Sequence, residues 1–321
     1  MSIKITLSPL KSTPDTLTLY WSNTPFTPDS LPVNTVTLSP TDTEYVDTTV
    51  PTNSVRYYMV KATKAGFNDM YSQCMLHGNY PKTGPGKNQI LRGDWDIGLM
   101  DILTPAQVFT VTGLKTALGL ATSFGGNVAD SAVTQWFKFM RRGKVLLIPN
   151  APLSNSSVLR WPDLYNAGLI YGVDGPGAAP FDLVTGGLSP AVAAPVNQKK
   201  VVTIGSDSFL VRTPQLSTLA TDQIVPADQS TFVGGEWWET MCRMSSNILA
   251  ANVPMMPEEK WWDNKSTMPY TCSATPHFLA NKANCAMHNT NWSAYTARNT
   301  TQAVASAWVH WTPVLELINY A

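Results

Sequence analysis

Alternating polar and apolar residues dominate the first part of the chain and predict β-strands there. TLTLYW (Thr16–Trp21) alternates in this way, as do NTVTLS (34–39) and VRYYMVKA (Val55–Ala62). Prolines fall between these runs or at their edges, where a sheet tolerates a residue that cannot donate a backbone hydrogen bond. Several short strands at this spacing predict a small β-sandwich over residues 1–80.

The pattern changes after residue 80. Residues 81–98 are rich in Gly and Pro, which predicts a connector between domains. Residues 99–321 mix short apolar runs with segments of helical spacing, which predicts a second domain of α+β type. The expected fold class is therefore mainly β with a few short helices.

Helical spacing predicts three helices in this second domain. The first begins with Thr104 as N-cap and Pro105 at the first helical position. The second covers 130–143 and ends with the cations Arg141–Arg142. The third contains the segment GGEWWETMCRM. Its inward-facing residues are expected to be Trp238, Met241 and Cys242.

Other segments predict a buried strand, a short helix and a long loop. The apolar run KVLLIP (144–149) predicts the buried strand, and RWPDLYNAGLIYG (160–172) predicts a short helix followed by a turn. Residues 172–195 form a long Gly, Pro and Ala segment, and loops of that length usually carry function or lie in an interface.

The low content of charged residues argues against some classes of binding partner. Only 14% of the residues are charged, against roughly 25% in typical soluble domains. With 22 basic and 22 acidic residues the net charge is zero, which predicts neither a nucleic-acid surface nor a polybasic membrane contact. A neutral, weakly charged protein tends to self-associate, so a homo-oligomer is expected.

Targeting signals are not visible in the sequence. No apolar stretch reaches the length of a membrane span, and the segment MSIKITLSPLKS lacks the apolar core of a secretory signal. We therefore expect synthesis in a cytoplasm without export by that route. The four cysteines are too few for a disulfide scaffold and are expected to be buried thiols.

The sequence contains candidate metal ligands and candidate catalytic carboxylates. A zinc ion could be held by Cys272, His277, Cys285 and His288, although their spacing matches no standard pair of half-motifs. The carboxylate pairs Asp94/Asp96 and Glu236/Glu239 could act in a glycosidase, but carboxylates at this frequency are usually structural. Standard nucleophile, phosphate-binding and dinucleotide-binding motifs are missing. We expect no enzyme activity, no cofactor and no metal.

Tryptophans are concentrated in the last part of the sequence. They can form a carbohydrate-stacking surface, anchor a protein interface or fill a core, and we expect about half of them to be core. The candidates for a ligand or interface are Trp237, Trp261, Trp262, Trp292 and Trp308.

The final apolar run, PVLELI, predicts a last strand in which Glu316 is buried. A buried carboxylate needs a partner. Glu316 is therefore expected to accept hydrogen bonds from an arginine or from backbone N–H groups and to serve stability.

Two resemblances extend these expectations. TEYVDTTVPTNSVRYYMVKATKAG resembles the later strands of immunoglobulin-like and fibronectin type III modules, which implies that Trp21 is a core tryptophan and that Tyr57 or Tyr58 is the characteristic strand tyrosine. WVHWTPVLELI resembles the GWRPVLEL strand that ends many virion proteins of tailed bacteriophages, although His310 and Thr312 replace the usual glycine and arginine.

Three further segments resemble the same phage proteins in the same order: TGPGKNQILRGDWDIGLMD, WFKFMRRGKVLLIPNAPLSNSSVLRWPDLYNAGLIYG and GEWWETMCRM. The resemblance implies a C-type-lectin-like second domain, with a last strand that closes its sheet, and carries over no catalytic residue. It implies a structural virion component of the tail, neck or collar, baseplate or a head-attached fibre, with other virion proteins as partners. A receptor-binding protein that holds host surface glycan is the alternative, and a polysaccharide hydrolase ranks third.

Overall fold

The chain is mainly β. The computed structural model describes residues 2–7, 13–155, 159, 161–177, 195–215, 234–241 and 311–319, and the backbone of the strands 271–279, 282–288 and 297–298. Two compact units are present. The first comprises Met1–Thr83 with Asp94–Asp96, and the second comprises Gly84–Gly93 with Ile97–Asn319. The division after Thr83 falls inside the segment 81–98.

In the part of the first unit that the structure describes, there are seven strands. They are β1 (Ile3–Thr6), β2 (Thr16–Ser22), β3 (Thr35–Leu38), β4 (Glu44–Asp47), β5 (Ser54–Thr63), β6 (Met70–Tyr71) and β7 (Met75–Asn79). β1 and β4 form a two-stranded antiparallel sheet. The second sheet has the order β3-β2-β5-β6, and β7 pairs with the first half of β5.

The core of the first unit follows from the alternation along its strands. Leu17 and Leu19 of β2 are buried together with Ile3 and Ile5 of β1, while their neighbours along each strand are more exposed. Residues two positions apart lie on the same face of a strand, so each sheet contributes one apolar face to a shared core. The strands predicted at Thr16–Trp21, 34–39 and Val55–Ala62 are confirmed.

The second unit contains the remaining elements. They are β8 (Arg92–Gly93), β9 (Ile97–Leu103), α1 (Val111–Ala117), β10 (Trp136–Arg141), β11 (Lys144–Pro149), α2 (Trp161–Asn166), β12 (Lys200–Ile204), β13 (Asp207–Arg212), α3 (Glu236–Glu239), β14 (Thr271–Leu279), β15 (Lys282–His288), β16 (Ala297–Arg298) and β17 (Val314–Leu317). β14, β15 and β16 form a sheet of their own. Among the described residues, no helix has the length and apolar character that a membrane crossing requires.

The other strands form one seven-stranded antiparallel sheet in the order β12-β13-β17-β11-β10-β9-β8. β17, the last strand along the chain, lies in the interior and pairs with β13 on one side and β11 on the other. Within this sheet, β17 is the link between the β12–β13 hairpin and the four strands β8–β11.

The helix predicted over 130–143 is wrong. A single 3-10 turn covers Asp130–Ala132, and β10 then runs in a hairpin with β11. All residues of β10 are buried, including Lys138 and Arg141, so both faces of the strand are covered and no alternation of apolar and polar residues marks it as a strand. Arg142 and Gly143 both have positive φ angles, 48° and 79°, as a two-residue hairpin turn requires. Arg141–Arg142 therefore stand at a hairpin and not at a helix end.

The first predicted helix begins later than expected. Thr104 and Gln107 form a turn, while Thr110 is the N-cap of α1 and accepts a hydrogen bond from the N–H of Gly113 at 3.0 Å. The predicted strand at 144–149 and the predicted helix after residue 160 are confirmed as β11 and α2. Of the third predicted helix the structure describes α3, and Met241 beyond it is buried as expected. The side chain of Trp238 and residue Cys242 lie outside the described residues.

Candidate functional site

The interior position of β17 places Glu316 between two flanking strands. Glu316 lies opposite Leu210 of β13 and opposite Leu146 of β11. Its carboxylate accepts hydrogen bonds from Nε and Nη2 of Arg212, at 3.0 and 2.7 Å, and forms an ion pair with Lys144 at 2.7 Å. The arginine partner expected from the sequence is therefore present, and one carboxylate connects both neighbours of the last strand.

Arg212 is the centre of this group and is itself buried. It donates from Nη1 and Nη2 to the two carboxylate oxygens of Glu236, at 2.9 and 2.7 Å, and also from Nη1 to the carbonyl of Thr213. Such two-point contacts are stronger and more directional than single neutral hydrogen bonds. We call Arg212, Glu236, Glu316 and Lys144 the Arg212 network. It joins α3 to β13 and β17.

The electrostatics of the Arg212 network favour its charged state. Burial alone would raise the pKa of the Glu316 carboxyl, but the charge of Arg212 and the hydrogen bonds from Lys144 and Arg212 outweigh burial, and the pKa lies below its usual value. Burial alone would lower the pKa of Arg212, but Glu236 and Glu316 raise it above its usual value. Each charge thus depends on its partners.

Glu239 provides a second attachment of α3. Its carboxylate accepts from Nε of Arg141 at 2.7 Å and from Nη2 of Arg142 at 2.5 Å. Arg141 also donates to the carbonyl of Gly234 at 2.9 Å. One short helix is therefore held to β13 through Glu236 and to the β10–β11 hairpin through Glu239, and these strands lie on opposite sides of β17.

This geometry gives the carboxylates of α3 a structural role. Glu236 and Glu239, one of the two pairs considered for a glycosidase, are 1% and 6% exposed and are each paired with arginine. In the other pair, Asp94 and Asp96 are exposed in the turn between β8 and β9, where Oδ1 of Asp94 accepts from the N–H of Asp96 at 2.8 Å. The carboxylates of α3 are thus occupied by guanidinium groups.

A buried lysine in β10 is a further organising residue that the sequence analysis did not select. Lys138 is fully buried, and its Nζ donates to the carbonyls of Pro85 and Lys87 at 2.9 and 2.8 Å. Burial lowers the pKa of Lys138 to about 8, although the charges of Asp101 and Asp207 act in the opposite direction. Part of the Gly/Pro segment predicted as a connector between domains is therefore hydrogen-bonded to β10 of the second unit. A lone lysine inside the run WFKFM was the available signal.

The first unit has its own buried polar group around Asp47. This carboxylate accepts from Nη1 of Arg56 and from the hydroxyl of Tyr58, both at 2.8 Å, and from the backbone and side chain of Thr49. The guanidinium of Arg56 lies 3.8 Å from the ring centre of Trp21, which is partly buried against the core. We call Asp47, Thr49, Arg56 and Tyr58 the Asp47 network. Tyr58 thus contacts Asp47 and Trp21 contacts Arg56, whereas Asp47 was not selected from the sequence.

Of the five tryptophans predicted as ligand or interface residues, the structure describes the burial of one. Trp237 is 3% exposed and belongs to the core of the second unit. The other four, Trp261, Trp262, Trp292 and Trp308, lie outside the described residues.

Only the backbone is described for the four possible zinc ligands. Cys272 and His277 lie on β14, and Cys285 and His288 lie on β15. Cys272 is opposite Met287, Cys285 is opposite Pro276, and His277 is opposite Asn284. Opposite residues share a face and successive residues alternate, so the register separates the two cysteine positions from the two histidine positions.

Comparison with known proteins finds no relative of this chain. The chain matches no protein-family model, no curated protein and no solved structure.

Proposed function

We propose that this protein is a structural component of a tailed-phage virion that works by protein–protein assembly. One observation carries the proposal. The segments that resemble phage virion proteins are far apart in the sequence, yet they supply β8 to β11, α2, α3 and β17 of the second unit. Six of these elements belong to, or are ion-paired with, the seven-stranded sheet.

The residues that carry the resemblance also contact one another. Glu236 of the GEWWETMCRM segment and Glu316 of the PVLELI segment share Arg212. Glu239 of the first of these segments pairs with Arg141 and Arg142 of the WFKFMRRGKVLLIP segment. These ion pairs occupy the carboxylates and guanidinium groups of the segments, which supports a structural role for them.

The proposal includes partners, location and the absence of catalysis. Other virion proteins and further copies of the chain are the proposed partners, on the tail, neck or collar, baseplate or a head-attached fibre. The first unit would be an immunoglobulin-like docking module, and the second a lectin-like domain. Glycan binding would require exposed aromatic side chains, and the one candidate whose burial is described, Trp237, is buried.

Cryo-electron microscopy of purified phage particles tests this proposal. We expect the chain in the particle at a fixed, symmetric copy number, with its density in contact with neighbouring proteins. Quantitative mass spectrometry of the same particles gives the copy number independently, with an abundant host protein as the contamination control. Particles that lack the chain, or contain it only at the level of the control, would contradict the proposal.

A further inference from the structure

Three buried side-chain nitrogens in the described part of the chain have no hydrogen-bond partner among the protein atoms: Nε of Arg56, Nε2 of His77 and Nε1 of Trp311. Buried polar atoms are nearly always hydrogen-bonded, to protein or to ordered water. Each such atom therefore needs an explanation, and two of the three belong to the same place in the first unit.

Arg56 and His77 are direct neighbours across two strands. Arg56 of β5 lies opposite His77 of β7 in the antiparallel register. Side chains of opposite residues project from the same face of a sheet, with Cβ atoms about 4.5–5.5 Å apart. No direct hydrogen bond joins the two unpartnered nitrogens.

The rest of the Arg56 side chain is held in place. Its Nη1 donates to Asp47 at 2.8 Å and to Oγ1 of Thr49 at 2.9 Å, and the guanidinium lies over the ring of Trp21. The ring of His77 packs edge-on against Tyr58, with centroids 5.7 Å apart. These contacts place both side chains beside the Asp47 network, on the same face of the sheet.

The charges around Arg56 and His77 favour a neutral bound molecule. Arg56 is already balanced by Asp47. Burial lowers the pKa of His77, so its imidazole is neutral at pH 7. An N–H donor and an imidazole nitrogen can be satisfied together by one molecule that both accepts and donates a hydrogen bond, and an anion would add an unbalanced buried charge.

We propose that an internal water molecule is bound between Arg56 and His77, accepting from Nε of Arg56 and donating to Nε2 of His77. Internal waters of this kind bridge buried polar groups that have no other partner and are costly to remove. The water extends the Asp47 network from β4 and β5 to β7. It thereby attaches β7 to the core through a side-chain contact in addition to its backbone pairing.

A crystal structure of the full chain at about 1.8 Å resolution tests the site directly. We expect a density peak within roughly 2.7–3.2 Å of both nitrogens. The matched variants are His77→Phe, which keeps a ring but removes the acceptor, and His77→Gln, which restores an acceptor. We expect His77→Phe to lose the peak and to lower the melting temperature of the first unit by roughly 3–8 °C. His77→Gln is expected to recover part of that loss.

Either of two results would overturn the inference. One is a well-ordered map with no peak between the two side chains, or with the two nitrogens bonded directly. The other is a His77→Phe protein that keeps the peak, since the imidazole acceptor would then not hold the water. Circular dichroism of each variant shows that the chain is folded before the comparison is made. The outcome does not depend on whether the chain belongs to a virion.

Discussion

Each unit buries a carboxylate–arginine network, but the two networks cover different lengths of chain. In the first unit, Asp47 finds its partners Arg56 and Tyr58 within 11 residues. In the second unit, Arg212 reaches Glu316 across 104 residues, and Glu239 reaches Arg141 across 98. A contact between residues close in sequence closes a short loop and costs little conformational entropy. A contact between distant residues closes a long loop and forms only after much of the chain is arranged.

The difference implies that the two units respond to different perturbations. The Asp47 network can form once β4 and β5 are present. The Arg212 network requires β11, β13, α3 and β17 together. Substitutions in one network should therefore move the thermal transition of one unit only, which differential scanning calorimetry can resolve.

The largest effect is expected for Arg212→Ala. This change leaves the buried carboxylates of Glu236 and Glu316 without their main partner, and breaking a buried ion pair costs about 3–5 kcal/mol. The transition of the second unit should fall steeply while that of the first stays in place. Lys199→Ala, which removes an exposed pair with Asp174, is the matched control and should leave the transition of the second unit nearly unchanged. Equal effects of the two variants would contradict the structural role of Arg212.

Asp47→Ala is the corresponding test of the first unit. It leaves Arg56 buried without a counter-charge and Tyr58 without an acceptor, so a loss of about 3 kcal/mol is expected. Only the first transition should move in calorimetry. The control is Asp69→Ala, since the pair of Asp69 with Lys61 is partly exposed. A shift of both transitions would show that the two units do not unfold independently.

Glu316→Ala should have a smaller effect than Arg212→Ala. Arg212 keeps its contacts with Glu236, and Lys144 is half exposed and can turn to water, so we expect a loss of about 2 kcal/mol. Urea unfolding gives the value, and Glu316→Gln separates loss of charge from loss of volume. An unchanged midpoint in both variants would mean that Glu316 does not hold β17 in place.

The smallest expected effect is that of mild acid, which should lower the thermal stability of the first unit but not that of the second. Burial lowers the pKa of His77, so the unfolded first unit takes up a proton near pH 6.5 while the folded unit resists it, and stability falls as pH drops below about 6.5. The lowered pKa of Glu316 places its contribution at lower pH, where it is lost only as the pH falls below the unfolded value of 4.5. Melting curves from pH 7.5 to 5 should therefore show a shift of the first transition that His77→Phe abolishes.

The sequence predicted the local features of the fold well. Alternation located the strands around Leu17, Leu19 and Tyr58, and a continuous apolar run located β11. These features depend on neighbouring residues, so a short window contains the signal. The arginine partner of Glu316 was expected as a residue type because a buried charge requires one.

Long-range features could not be obtained in the same way. Nothing near Arg212 indicates that it meets residues 24 and 104 positions later. The strand β10 was mistaken for a helix because burial on both faces removes the alternation that identifies strands. Asp47 was missed because its role depends on the position of Tyr58 in the folded strand.

The register between β13 and β17 has a consequence for protein engineering. Arg212 and Val314 stand directly opposite each other in adjacent strands, at a Cα separation typical of about 5 Å. Among the described strands, the chain therefore leaves this sheet after Arg212 and rejoins it at Val314, next to the point of departure. Because loop-closure entropy grows only slowly with length, an insertion between these two residues should cost little chain entropy, provided that the ion pairs of α3 and the buried side chains of Trp237 and Trp311 are kept.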